Sequence, residues 1–163
     1  MGFAMRASGL LVLGLVGLAC AAGPQPSSAA GPGGPLTLET LDQRSMPGQS
    51  GEQEREVYRD ATAFRTGWDG LTKGSSENPP PVDFGRRMVI AVALPLQSCV
   101  SRITVRGVEE RAAELVVDLL EEPASGECVC IVAERPHHVV ALPRSDKPVR
   151  FEATVKPRAC GPR

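Results

Sequence analysis

The sequence predicts a β-rich α+β protein, an antiparallel sheet or sandwich with one short helix packed on it. Three stretches carry that expectation. In "VRFEATVK", Val149, Phe151, Ala153 and Val155 alternate with Arg150, Glu152, Thr154 and Lys156. That period of two puts one side of a strand on a core and the other in water. "MVIAVAL", from Met88 to Leu94, is apolar throughout and only strand-length, as expected of a central strand covered on both faces. Phe64, Trp68 and Leu71 fall at i, i+4 and i+7, which places them on one face of a helix.

The helix comes first in the chain. Asp60 can cap it by accepting from the free N–H groups of its first turn, and Gly67 and Gly70 limit it to about two turns. Its aromatic residues, with Phe84, are expected to plug one side of the sheet. "TKGSSENPPP", from Thr72, reads as a mobile loop; Asp83 is expected to close a turn before Phe84, with Arg86 and Arg87 as a solvated strand entrance. "RITVRGV" alternates through Ile103 and Val105. "VEERAAELVVDLLEEP" fits two patterns: Ala112, Leu115, Val116 and Leu119 share a helical face, while β-branched content and short spacing favour a strand. "ECVCIVA" and "HVVAL" add two more β-rich runs. Turn chemistry at Pro95, Gly107, Pro123 with Gly126, Pro136, and Pro143 with Asp146 separates them. "VRFEATVK" closes the domain as a half-buried antiparallel strand.

Ahead of this fold, Arg6 is followed by an apolar run from Gly9 to Ala19. A membrane-spanning helix needs roughly 20 apolar residues, and Pro24, Pro26, Pro32 and Pro35 bar any extension. Residues 1–19 therefore read as an export signal. "VGLAC" resembles the lipobox of bacterial lipoproteins, which implies cleavage before Cys20 and attachment of a diacylglycerol to its sulfur. Gly17 departs from that pattern, which usually has Leu three residues before the cysteine. The alternative is ordinary cleavage after Ala21, leaving a soluble protein.

Residues 20–35 then form a tether. From Gly23 to Pro35, eight of thirteen positions are Gly or Pro and none is charged, so the segment has little apolar surface to offset the entropy of ordering. Two or three acyl chains on Cys20 would anchor it stably, at ~0.8 kcal/mol per buried methylene. The expected location is the bacterial cell envelope, facing periplasm or exterior. Ala21 and Ala22 follow Cys20 in place of an aspartate retention signal, which favours the outer membrane.

Residues 36–163 suit a single domain. The chain carries 18 Lys and Arg against 19 Asp and Glu, and loss of residues 1–19 removes only Arg6. That balance offers no electrostatic basis for binding nucleic acid or anionic lipid. Tyr58, Phe64, Trp68, Phe84 and Phe151 are the only aromatic residues beyond the tether, so Val, Leu, Ile and Ala must fill the core. Cys99, Cys128, Cys130 and Cys160 form an even set, which in an exported protein reads as two disulfides with three possible connectivities. Cys128 and Cys130 flank one residue, a separation that disulfide geometry disfavours, so each is expected to pair with Cys99 or Cys160.

Candidate chemistry is sparse. Cys128 and Cys130 with His137 and His138 supply zinc-ligand types, but their spacing matches no standard structural zinc pattern. Cys99 lacks a nucleophile motif, and no Gly-x-Ser-x-Gly, His-Glu-x-x-His or phosphate loop occurs. Asp69 and Asp83 are better read as a helix-end and a turn residue than as a carboxylate pair. No catalysis, metal or cofactor is expected.

"AFRTGW" (63–68), "PPVDFGRRMVIAVALP" (80–95), "GECV" (126–129) and "PHHVVALPRSDKPVRF" (136–151) occur in the order that resembles the C-terminal domain of the PrcB-like protease-complex subunit family. The resemblance covers residues 50–155 and rests on order and spacing. It implies an envelope lipoprotein that holds or stabilises a protein partner, an extracytoplasmic protease among the possibilities, with no catalytic residues to carry over. Gln97, Ser98 and Cys99 stand where relatives have a Gly-Gly-Tyr element, which puts the partner in question. Cysteines in relatives near positions 128 and the C-terminus imply Cys128–Cys160 and leave Cys99–Cys130. Two other readings remain: a thiol or zinc protein using Cys99, Cys128, Cys130, His137 and His138, and a purely structural envelope protein.

Overall fold

The computed structural model describes residues 33–47, 51–72, 76–97, 100–126 and 132–160. Ten strands and one helix follow in the order β1 (Gly34–Pro35), β2 (Glu39–Pro47), β3 (Glu54–Tyr58), α1 (Ala61–Leu71), β4 (Arg87–Ala93), β5 (Arg102–Glu110), β6 (Leu115–Glu122), β7 (Ala124–Ser125), β8 (Glu134–Pro143), β9 (Val149–Val155) and β10 (Arg158–Ala159). One sheet has the order β1-β5-β6-β9 and the other β2-β8-β4-β3, with β7 and β10 forming a separate small ladder. The protein is therefore β-rich with one short helix, its two four-stranded sheets packed face to face. Residues 32–163 form one compact unit, and its first strand, β1, lies within the segment whose composition reads as tether.

The middle layer explains the apolar runs. Met88, Ile90 and Val92 of β4 and Val140 and Leu142 of β8 face the other sheet, where they meet Ile103, Val105, Leu115, Val117 and Leu119. The alternate residues Val89, Ala91, Val139 and Ala141 face outward and are covered by Phe64, Trp68 and Leu71 of α1 with Tyr58. A strand packed on both sides has no polar face to show, and Met88 to Ala93 are each at most 1% exposed. Phe64 sits among three rings at centroid distances of 5.6 Å (Tyr58), 6.0 Å (Trp68) and 5.8 Å (Phe84).

Several expectations need correction. The helix runs 11 residues, through both glycines. Asp60 does cap it, its Oδ1 accepting from Thr62 N at 3.0 Å and Ala63 N at 2.8 Å. Of the stretch expected to be a mobile loop, residues 73–75 lie outside the described residues, and Glu77 is held by its carbonyl, which accepts from Trp68 Nε1 at 3.0 Å. Residues 115–122 form strand β6, the favoured of the two patterns, with Glu110 and Leu115 paired across the connection from β5. β9 pairs with β6 in parallel. Between them the chain passes through β8 in the opposite sheet, so β9 enters running the same way as β6.

Two supposed breakers also lie inside strands. Gly107 follows a register shift in β5, where a bulge breaks the ladder. Pro136 is in β8, its carbonyl accepting from Leu94 N at 3.0 Å. Its missing N–H faces Leu94 at the end of β4, so the reciprocal bond of that pair is not made, and the β4–β8 ladder ends at Ala93 and His137.

Candidate functional site

The only two histidines of the chain are neighbours on β8, and strand alternation sends their rings to opposite faces. His138 points between the sheets. Its Nδ1 accepts from the Val105 backbone N–H at 2.9 Å, beside the β5 bulge. Nε2 must then carry the hydrogen, which it donates to Thr40 Oγ1 at 3.0 Å. The ring joins β2 and β8 to β5 and satisfies a backbone donor on the side of β5 away from β6, where β1 does not reach. Burial, and secondarily the neighbouring His137, lower its pKa from 6.5 to about 4, so it is neutral at physiological pH.

His137 points to the helix side and is buried. Its Nε2 donates to Asp42 Oδ2 at 2.9 Å. Asp42 also lies 3.0 Å from Arg44 Nε, and Arg44 Nη1 donates to Glu77 Oε1 at 3.1 Å. The chain of contacts thus runs from β8 through β2 to the segment that follows α1. His137 Nδ1 has no hydrogen-bond partner, but the side chain is only 1% exposed, so a substrate cannot reach it.

The other candidates are scattered. Asp69 is exposed near the end of α1, and Asp83 Oδ1 accepts from Gly85 N at 3.0 Å to close a turn. Arg86 is solvated, whereas Arg87 pairs with Glu39. Among the described residues, no three His, Cys, Asp or Glu side chains converge as metal ligands, and no helix is long and apolar enough to cross a membrane. Cys20, Cys99, Cys128 and Cys130 lie outside the described residues; Cys160 is disulfide-bonded.

A corner of the molecule gathers the residues that flank these cysteines. β10 runs parallel to β7, pairing Ala159 with Ser125, and Cys160 Sγ lies 3.5 Å from the Ser125 carbonyl oxygen. Ser101 Oγ accepts from Ala124 N at 2.9 Å. Beside this corner opens a cleft of about 470 Å³, lined by Gln43 and Ser45 of β2, by Val100 to Ile103 at the start of β5, and by Arg158 of β10. None of its lining residues is acidic.

Sequence reading missed this cleft. β2, which forms one wall, has no clean alternation in "ETLDQRSMP", and its burial is correspondingly irregular. It also missed Arg135, whose side chain is 1% exposed. That guanidinium meets Glu54 Oε1 at 2.6 Å and the Glu52 carbonyl at 2.9 Å. Beside Glu134 and two histidines in "VAERPHHVV", nothing in the local pattern marks it as buried. No protein-family model, curated protein or solved structure matches the chain.

Proposed function

We propose that the chain is a non-catalytic envelope lipoprotein, anchored through acylated Cys20, whose folded domain binds a protein partner. The observation that carries this reading is the use of both histidines in the scaffold. Each faces its own side of β8 and is held by a neighbour, Thr40 and Val105 for one and Asp42 for the other. Two rings on opposite faces of a sheet cannot join the thiols around one zinc ion, which disfavours a thiol or metal protein. The free polar groups collect instead at the rim, around the cleft, where a partner can reach them.

The resemblance to the PrcB-like family supports the same reading and suggests a protease complex as the partner's class. Three of its segments become α1, β4 and β8, which pack together as the middle layer and its helical cover. The two-disulfide arrangement Cys128–Cys160 and Cys99–Cys130 belongs to this proposal. In support of the first pair, the β7–β10 register sets Cys160 level with Gly126, two positions before Cys128.

The test combines intact mass with cross-linking in the native envelope. The expected mass begins at Cys20 with acyl chains attached, and four cysteines alkylate only after reduction. Cross-linking is expected to join the domain to one protein at reproducible positions. A mass beginning at Ala22 would remove the anchor. Thiols reactive before reduction, or zinc bound to the isolated protein, would bring the metal reading forward.

A further inference from the structure

The two sides of the β1-β5-β6-β9 sheet are finished differently. On the β5 side the main chain is occupied. Leu36 N donates to the Val108 carbonyl at 2.8 Å, Gln43 Nε2 to the Ile103 carbonyl, and His138 accepts from Val105 N. On the other side β9 is the last strand, and it pairs only with β6. Leu115 N donates to the Pro148 carbonyl, and Lys156 N to the Glu121 carbonyl. Arg150, Glu152 and Thr154 thus serve the parallel ladder, while Val149, Phe151, Ala153 and Val155 direct N–H and C=O outward. Among the described residues, none of these outward groups has a hydrogen-bond partner. Ala153 and Val155 belong to the core-facing set of the strand, yet both are exposed, Val155 by 56%.

β9 contains no proline or bulge that would block a further strand. Arg59 Nη2 holds the Lys147 carbonyl at 2.8 Å, so the free stretch begins at Val149, and Pro157 ends it. Charge decides which strand fits. Arg150 and Glu152 project together from the outer face, with side chains 44% and 54% exposed. A second β9 laid antiparallel about a two-fold axis could meet the first in several registers. Centred on Phe151, it sets Arg150 opposite the partner's Glu152 and Glu152 opposite the partner's Arg150. Val149 then exchanges both main-chain bonds with the partner's Ala153, and Phe151 with the partner's Phe151, the two rings side by side. Centred on Arg150 or on Glu152, like charges face each other across the axis. Centred on Ala153, Arg150 meets the partner's Lys156. A slip of one residue sets charged side chains against apolar ones. The strand is self-complementary in one register.

We propose that the protein self-associates as a two-fold dimer through β9, which joins the two four-stranded sheets into one continuous sheet. The contact uses the same patch on both copies and closes on itself, so it gives a dimer and no filament. This goes beyond the reading of the chain as a partner-binding module and does not depend on it.

The experiment is sedimentation equilibrium of the full chain in density-matched detergent, with amide hydrogen exchange as the local readout. The native chain passes from monomer to dimer as concentration rises, and exchange at Val149, Phe151 and Ala153 slows with it. Ala153→Pro removes an outward N–H and leaves the β6 ladder intact, so it weakens dimerisation roughly tenfold with circular dichroism unchanged. Arg150→Glu and Glu152→Arg each weaken self-association roughly tenfold, because like charges then face across the axis. Mixed in equal amounts, these two variants associate with each other, since each supplies the charges the other lacks. Asp69→Asn, on the exposed side of α1, leaves the dimer unaltered. A native chain that stays monomeric at every concentration overturns the proposal. So does a dimer that survives Ala153→Pro, or a mixture of the two charge variants that associates no better than either alone. Protection of the β9 amides by a different protein, with no dimer formed, assigns the edge to that protein and equally overturns it.

Discussion

A single imidazole at position 138 ties together three strands, and its protonation state decides whether it can. The Val105 N–H needs an acceptor at Nδ1, and a protonated ring has none to offer. Its folded pKa of about 4 lies below the ordinary 6.5, so the unfolded chain takes up this proton first. The neutral ring's contribution is therefore complete above pH 6.5 and is lost as pH falls toward 4. A shift of this size corresponds to about 3 kcal/mol of stability once the loss is complete. Urea midpoints measured across that range should fall with pH in the native protein. In His138→Gln they should start lower and change less, since the amide does not titrate. A variant as acid-sensitive as the native chain would place the titration elsewhere. The shared strand of His137 and His138 was legible in the sequence. That the Val105 N–H needs a side-chain acceptor was not, because no local pattern shows which part of β5 lacks a neighbouring strand.

At the scale of elements, α1 shows why composition understates helix length. Gly67 and Gly70 have the same poor propensity, about 1 kcal/mol below Ala, yet they stand in different surroundings. A Cβ at Gly67 would lie 2.0 Å from Tyr58 Oη and 2.3 Å from its Cζ, whereas one at Gly70 would meet nothing within 4 Å. The first glycine lets the helix lie against the Tyr58 ring, whose pKa burial pushes up to about 12; the second has no packing role. Gly70→Ala should stabilise the protein by about 0.5–1 kcal/mol. Gly67→Ala should destabilise it by about 1–2 kcal/mol, because overpacking costs typically 1–3 kcal/mol and outweighs the propensity gain. Thermal melts of the two variants decide the point, and a shift in the same direction for both would contradict it. The spacing of Phe64, Trp68 and Leu71 was enough to find this helix and its buried face. The approach of Tyr58, nine residues before Gly67, is a tertiary contact that no local pattern encodes. The same holds for β9, where alternation revealed a half-buried strand but the neighbour that makes it parallel lies across a crossing between sheets.

For the whole molecule, the two sheets of the sandwich are tied by polar groups that reach across apolar layers. His138 carries one tie from the β2-β8-β4-β3 sheet to β5; Glu121 carries another in the reverse sense. Glu121 Oε1, on β6, accepts from Arg55 Nη2 at 2.6 Å and Gln53 Nε2 at 2.8 Å, joining the two sheets at the β3 edge. The β-rich class was readable from periodicity, but these ties were not, since "DLLEEP" and "EQEREVY" look like ordinary solvated charge. Glu121 is only 8% exposed, so the two halves of the pair should behave unequally. Arg55→Leu strands a buried carboxylate and should cost about 3 kcal/mol, while Arg55→Leu combined with Glu121→Leu should recover most of that loss. Urea unfolding of the two single variants and the double variant gives the coupling directly. Strictly additive losses would mean that Glu121 is hydrated in solution and that apolar packing alone joins the sheets at this end. A double variant more stable than Arg55→Leu would establish the pair as a specific tie, and would explain why a charged residue occupies an inward-facing position of a core strand.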